Sequence, residues 1–219
     1  MSDASQVIYG TQPVAEAERG RRRVHRVWRA PEASAEELER LCGSPDHQGV
    51  VAEVDPYPYV GAGELLGREN ALLVALDQVQ DPRNLGAVCR SAEAAGAAGV
   101  VIPDRRSAEV TPTVCKTSAG AVEHLPIARV RNLADWLTEA KQANFWIWGA
   151  DAEAGRTPWD TDLTGPAVLV LGGEGKGLRP RVSASCDGHI ALPQQGQTAS
   201  LNVSAAATAL LYEAVRQRT

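Results

Sequence analysis

From residue 71 onward, short apolar runs alternate with stretches of helical spacing. Apolar runs at 71–76, 98–102, 126–130, 145–149, 167–171 and 189–192 read as strands, and helical patterns fit 82–95, 112–123, 133–143 and 201–217. Strand alternating with helix predicts parallel strands joined by crossover helices, hence an α/β fold with helices on both faces of the sheet. Ligand sites in such sheets lie beyond the carboxyl ends of the strands. Three polar loops fall there: Asp81 to Gly86, Gly172 to Gly177, and Leu192 to Asn202.

The pattern before residue 61 is different. Val24–Trp28 and Gln48–Val54 read as strands, and Ser34-Ala-Glu-Glu37 is a capping box that opens a helix toward Leu41. Six arginines lie between Arg19 and Arg29, followed by seven acids and one arginine from 31 to 55. Asp55-Pro-Tyr-Pro-Tyr-Val-Gly-Ala-Gly has the prolines and glycines of a connector. The expected organisation is a small α+β module over 1–60, a linker over 61–70 and a larger domain over 71–219.

Two helices carry more information than the rest. Asp81 is a good N-cap with Pro82 in the first turn, and Leu85, Val88, Cys89, Ala92 and Ala95 form one apolar face behind it. Arg83 and Arg90 project on the other side, either as solvated cations or as a pair suited to phosphate. The final helix is apolar on two sides: Leu201, Ala205, Thr208, Tyr212 and Val215 on one, Val203, Ala206, Leu210 and Ala214 on the other. One side suits the sheet and the other suits a second copy of the chain, so a homodimer is expected; the alternative is a helix sunk in one large core.

Composition narrows the class. With 219 residues and 44% apolar content the chain can bury a full core, and a net charge of -5 excludes a uniformly basic nucleic-acid binder while leaving room for local basic clusters. The opening residues show no signal-peptide pattern and no apolar run reaches the roughly 18 residues of a membrane span, so a cytoplasmic protein is expected. Cys42, Cys89, Cys115 and Cys186 are scattered without CxxC spacing, and the four histidines are isolated. Buried thiols are therefore expected, with no metal site.

The loops exclude several chemistries. Gly172-Gly-Glu-Gly-Lys-Gly177 lacks the spacing of a P-loop, and it follows the fifth strand rather than the first, unlike a dinucleotide fingerprint. It is a plain flexible turn or a ligand grip in which Glu174 bonds a hydroxyl, an amine or an arginine. Ser200 and Asn202 are caps of the last helix or site residues. No histidine is placed to activate Ser200 and no carboxylate pair suits hydrolysis. A ligand cradle with arginines beside it points to a transferase with a preactivated donor.

These residues resemble the SpoU (TrmH-type) family of RNA 2′-O-ribose methyltransferases. Three ordered motifs carry the resemblance: Asp77-Gln-Val-Gln-Asp-Pro-Arg-Asn-Leu-Gly-Ala-Val-Cys-Arg-Ser91, Leu169-Val-Leu-Gly-Gly-Glu-Gly-Lys-Gly-Leu178, and Ile190-Ala-Leu-Pro followed by Ser200-Leu-Asn-Val-Ser204. The resemblance implies S-adenosylmethionine as cofactor, a deep trefoil knot in the C-terminal segment and a homodimer formed through that region. It also implies cofactor contacts at Gly172, Gly173, Gly177, Leu192, Pro193, Gly196 and Leu201, and a catalytic set of Asn84, Arg90, Glu174, Ser200 and Asn202. Arg90 would pair with a substrate phosphate and polarise the ribose 2′-hydroxyl, oriented by Asn84 and Glu174; a guanidinium is too weak a base for more.

The N-terminal part, through Val7-Ile-Tyr-Gly10 and His47-Gln-Gly-Val-Val-Ala52, resembles members that methylate a guanosine of 23S rRNA. In those a small ribosomal-protein-like module binds RNA. Here Arg22, Arg23, Arg26 and Arg83 would meet phosphates, with Trp28 available to stack on a base. The stretch from Arg29 to His47 is shorter than in that module, and Gln194 stands where methionine is usual. Two other readings are a tRNA guanosine 2′-O-methyltransferase and a non-catalytic RNA-binding or ribosome-assembly factor.

Overall fold

A computed structural model describes residues 5–173, 177–197 and 200–219. The chain opens with β1 (Gln6–Tyr9), α1 (Thr11–Arg19), β2 (Val24–Arg29), α2 (Ala35–Cys42) and β3 (Val50–Val54). The three strands form an antiparallel sheet in the order β1-β3-β2. The central strand β3 places Val51 under α2 with Leu38 and Ala33 on one face, and Val50, Ala52 and Val54 on the other. β1 and α1 were not foreseen: β1 is four residues long and its apolar signal is confined to Val7, Ile8 and Tyr9.

The second part runs α3 (Ala62–Leu66), β4 (Leu72–Asp77), α4 (Pro82–Ala94), β5 (Gly99–Pro103), α5 (Pro112–Thr117), β6 (Ile127–Val130), α6 (Leu133–Gln142), β7 (Trp146–Ala150), β8 (Ala167–Gly172), α7 (Pro180–Ala184), β9 (Gly188–Ile190) and α8 (Val203–Arg218). Its six strands pair throughout in parallel, in the order β6-β5-β4-β8-β7-β9. Every residue of β4 is buried, as a strand covered on both faces must be. Leu72, Val74 and Leu76 pack with Val88, Val114, Leu210 and Ala214 from α4, α5 and α8. Leu73 and Ala75 pack on the other face with Leu133, Leu137 and Val182 from α6 and α7. Helices thus cover both faces, as the alternation predicts.

Several boundaries move for physical reasons. α5 stops at Thr117 because Ala119 and Gly120 take left-handed backbone (φ 51° and 84°), and a separate 3-10 turn follows at Ala121–Glu123. The expected linker contains α3, and Val60 just before it bridges in parallel to Ala128 on β6. Gly86 marks a close crossing of α4 on α5, where a Cβ would lie 1.9 Å from Thr117 Oγ1.

The two sheets share one core. Ile8, Val14, Ala17 and Val54 belong to the same buried cluster as Val114, Cys115 and Val122. At this seam Arg22 is buried. Its guanidinium holds both carboxylate oxygens of Glu123, with Nε to Oε2 at 2.9 Å, and also reaches Gln6 Oε1 at 2.7 Å and Cys115 Sγ at 3.2 Å. Arg22 therefore does not contact RNA: its charge is spent inside the protein. Cys89 and Cys115 are buried as expected, whereas Cys42 and Cys186 are only half-buried; burial pushes Cys115 up to about 11 and Cys186 up to about 12. No helix of the described residues is long and apolar enough to cross a membrane.

Candidate active site

Because every strand of the large sheet points the same way, the loops after β4, β7, β8 and β9 converge at one end. Those after β7, β8 and β9, with the start of α8, enclose a cavity of about 640 Å³, within the roughly 300–1,000 Å³ typical of small-molecule sites. Gly172, Gly173 and Gly177 line it beside Leu192, Ser200, Leu201 and Asn202. Two of the glycines are a steric requirement: a Cβ on Gly172 would lie 2.2 Å from the Gly177 carbonyl carbon, and one on Gly173 would lie 2.6 Å from Gln78 O, whereas Gly177 serves a left-handed turn at φ 60°. Pro193 and Gly196 are exposed and lie outside the lining. Glu174 falls outside the described residues.

Asn84 and Asn202, 118 positions apart in the chain, meet here. Asn202 Nδ2 donates to Asn84 Oδ1 at 3.0 Å, which ties the first turn of α4 to the cavity wall. One helical face further along, Ser91 and Thr208 hydrogen-bond at 2.6 Å and fix α4 against α8. Asn202, not Ser200, caps α8: its Oδ1 accepts from Ser204 N at 2.8 Å. Ser200 is left as an exposed residue of the cavity wall. Arg83 and Arg90 are exposed on α4, carry no ion pair among the described residues, and do not line the cavity.

Two features escaped the sequence reading. Asp151 and Glu153, just past β7, line the cavity and bring carboxylates to it. Their position beyond a strand end was the available signal. Asp77, the fully buried last residue of β4, accepts from Arg179 N at 2.8 Å and from Arg179 Nε at 2.7 Å. This pair straps the segment after Gly177 to the neighbouring strand, so the glycine cradle is held from both sides. Among the described residues no cluster of His, Cys, Asp or Glu is grouped to hold a metal.

Comparison with known proteins decides the family. Residues 71–212 match the SpoU rRNA Methylase family. The chain belongs to that family. The SpoU match is joined by a second, over residues 29–60, to the RNA 2′-O ribose methyltransferase substrate binding family, within the N-terminal module. A 23S rRNA (guanosine-2′-O-)-methyltransferase RlmB of Pseudomonas putida is 46% identical over 78% of this chain and 71% of its own length. A protein of Synechocystis sp. called an uncharacterized tRNA/rRNA methyltransferase is 38% identical over 99% of this chain and 64% of its own length. The SpoU methyltransferase AviRb of Streptomyces viridochromogenes, solved in complex with the cofactor AdoMet, superposes with a TM-score of 0.82 at 30% identity, over 98% of this chain and 90% of that one. This SpoU chain thus spans a little under two thirds of the length of the Synechocystis relative.

The cavity suits that cofactor. Bare glycine backbone receives a ligand closely, Leu192 and Leu201 offer apolar flanks, and Asp151 and Glu153 complement a ligand that carries positive charge. Replacing Gly172 by valine is expected to weaken S-adenosylmethionine binding at least about tenfold, because the added atoms must displace the Gly177 backbone. Calorimetric titration checks this, with thermal unfolding to confirm that the fold survives.

Proposed function

We propose that the protein methylates a ribose 2′-oxygen of RNA with S-adenosylmethionine as donor, and that the favoured target is a guanosine of 23S rRNA. The observation that carries this reading is the meeting of Asn84 and Asn202 at a glycine-lined cavity in a chain of the SpoU family. The 46% identity to the Pseudomonas putida RlmB, which extends into the module, favours 23S rRNA over tRNA.

Bound in the cavity, the cofactor supplies an electrophilic methyl group. The chain's own residues then hold the ribose hydroxyl in line and manage its proton, the two demands of this transfer. Asn202 and Ser200 stand at the cavity wall. Asn84 fixes Asn202, and Arg90 anchors the adjacent phosphate and polarises the hydroxyl. Glu174 completes the set by orienting Arg90. Gly172, Gly173, Gly177, Leu192 and Leu201 cradle the cofactor, with Pro193 and Gly196 shaping the loop beyond.

The module contributes Arg23 and Arg26, both exposed on or beside β2. Arg26 lies over the Trp28 ring at 4.8 Å, a cation on an aromatic face that suits an unpaired base. The protein acts in the cytoplasm as a homodimer through its knotted C-terminal region. In support, Leu201 just before α8 and Tyr212 on it are 46% and 50% exposed, apolar surface that a second copy would cover.

The test is incubation with tritiated S-adenosylmethionine and, separately, unmodified 23S rRNA, 16S rRNA and bulk tRNA, followed by mapping of 2′-O-methylation. Label on a 23S guanosine is expected. Label on tRNA alone would overturn the substrate, and cofactor binding without transfer to any RNA would favour an assembly factor.

A further inference from the structure

The charges at the carboxyl end of the large sheet are sorted by strand. After β7 stand Asp151 and Glu153, both lining the cavity. On the other half of the same edge cations outnumber acids among the exposed side chains. Arg83 follows β4, Arg105 and Arg106 follow β5, and Arg131 follows β6. All four are exposed, and none makes an ion pair among the described residues. The acids interspersed with them are already engaged. Asp104 and Glu109 are both held by Arg129, at 3.3 and 3.0 Å, and Asp81 caps α4 by accepting from Arg83 N at 2.8 Å. In a chain of net charge -5 this edge keeps a local excess of positive charge: Arg83, Arg105, Arg106, Arg129 and Arg131 stand against Asp81, Asp104 and Glu109.

The row has a direction. Strands β6, β5 and β4 are successive neighbours, so their loops span about 10 Å at roughly 4.8 Å per strand. At the β4 end the row reaches α4, whose Asn84 bonds to Asn202 of the cavity wall. From the middle of the row, the loop that bears Arg105 and Arg106 runs on to Val110. There Val110 N donates to the Tyr59 hydroxyl and Val110 O accepts from Gln6 Nε2 of β1. Arg105, Arg106 and Arg83 therefore lie between the N-terminal module and the cofactor cavity, with Arg131 at the outer end of the row.

We propose that Arg83, Arg105, Arg106 and Arg131 form a phosphate track that carries a single RNA strand along the carboxyl edge of β6, β5 and β4 to the cavity. The proposal rests on the RNA methyltransferase reading and extends it from the module to the catalytic face. Guanidinium groups suit the task because each presents several donors in a fixed plane to phosphate oxygens. The acids after β7 keep the backbone off the half of the edge where the cationic cofactor binds.

The test compares the full-length protein with an Arg105→Gln/Arg106→Gln/Arg131→Gln variant. Both are titrated against labelled, unmodified 23S rRNA transcript at a series of KCl concentrations. Removal of three phosphate contacts is expected to weaken binding at least about tenfold at low salt and to flatten the slope of log K against log[KCl] by about 2. S-adenosylmethionine affinity should be unchanged, and the triple lysine variant should restore most of the slope. A glutamine variant with wild-type affinity and slope overturns the track even where methyl transfer is intact. RNA binding that shows the predicted loss, in a wild-type protein that transfers no methyl group, supports the track and overturns the catalytic reading instead.

Discussion

Replacing Arg90 by alanine is expected to lower single-turnover methyl transfer by about a hundredfold or more while S-adenosylmethionine binds as before. The size follows from the usual cost of losing one group that stabilises developing charge, about 2.7–4 kcal/mol. The selectivity follows from position. Arg90 is exposed on α4 and does not line the cavity, so the cofactor loses no contact when it is removed. It has no ion pair among the described residues, so the helix loses little either. Lysine at this position keeps the charge but loses the planar fork, and should recover only part of the rate. Transfer at the wild-type rate by the alanine variant would remove Arg90 from the catalytic set.

The second large effect lies at the seam between the two sheets. Glu123→Ala is expected to destabilise the protein by about 3–5 kcal/mol, the usual result of stranding one member of a buried ion pair. The Arg22 and Glu123 side chains are 1% and 0% exposed, so water cannot take the place of the lost carboxylate. Arg22→Met/Glu123→Leu, which removes both charges together, should recover most of the loss. Urea unfolding with matched m-values distinguishes the cases. A single variant as stable as wild type would mean that the partners Arg22 already has, Gln6 Oε1 among them, suffice for the guanidinium.

The legible and illegible parts of this fold divide along physical lines. β4 and β8 were plain in the sequence because strands buried on both faces are apolar at every position, and Ala167 to Leu171 has no polar residue to confuse the reading. The glycines that end β8 were visible as well, as a turn or a ligand grip, and they line the cavity. What one sequence could not settle was side-chain direction within a charge run. Arg21, Arg22 and Arg23 are consecutive and chemically identical, yet Arg22 points inward to Glu123 about a hundred positions later while its neighbours remain exposed. The same limit hid the Asn84–Asn202 bond, whose partners come from opposite ends of the domain. It also made Ser200 look like the cap of α8, since Ser200 and Asn202 are both good capping residues and only the start of the helix at Val203 separates them. The acids past β7 were missed for another reason: Asp151 and Glu153 alternate with alanines between Gly149 and Gly155, without the closely spaced glycines of the loop after β8, and only convergence of the strand ends brings them to the cavity.

The margins of the sheets bear on how the protein behaves when crowded. An unpaired strand edge is a template on which another chain can grow. On the β6 side of the large sheet the bridge from Val60 to Ala128 occupies part of that template, and on the other side β9 offers only three residues. In the small sheet the outer strand β2 is six residues long, but it carries His25, Arg26 and Arg29. The same positive charge that suits that strand to a polyanion repels a second copy laid alongside it. Neutralising those arginines to probe nucleic-acid binding would therefore also remove a safeguard against aggregation, and solubility belongs among the quantities followed in any such experiment.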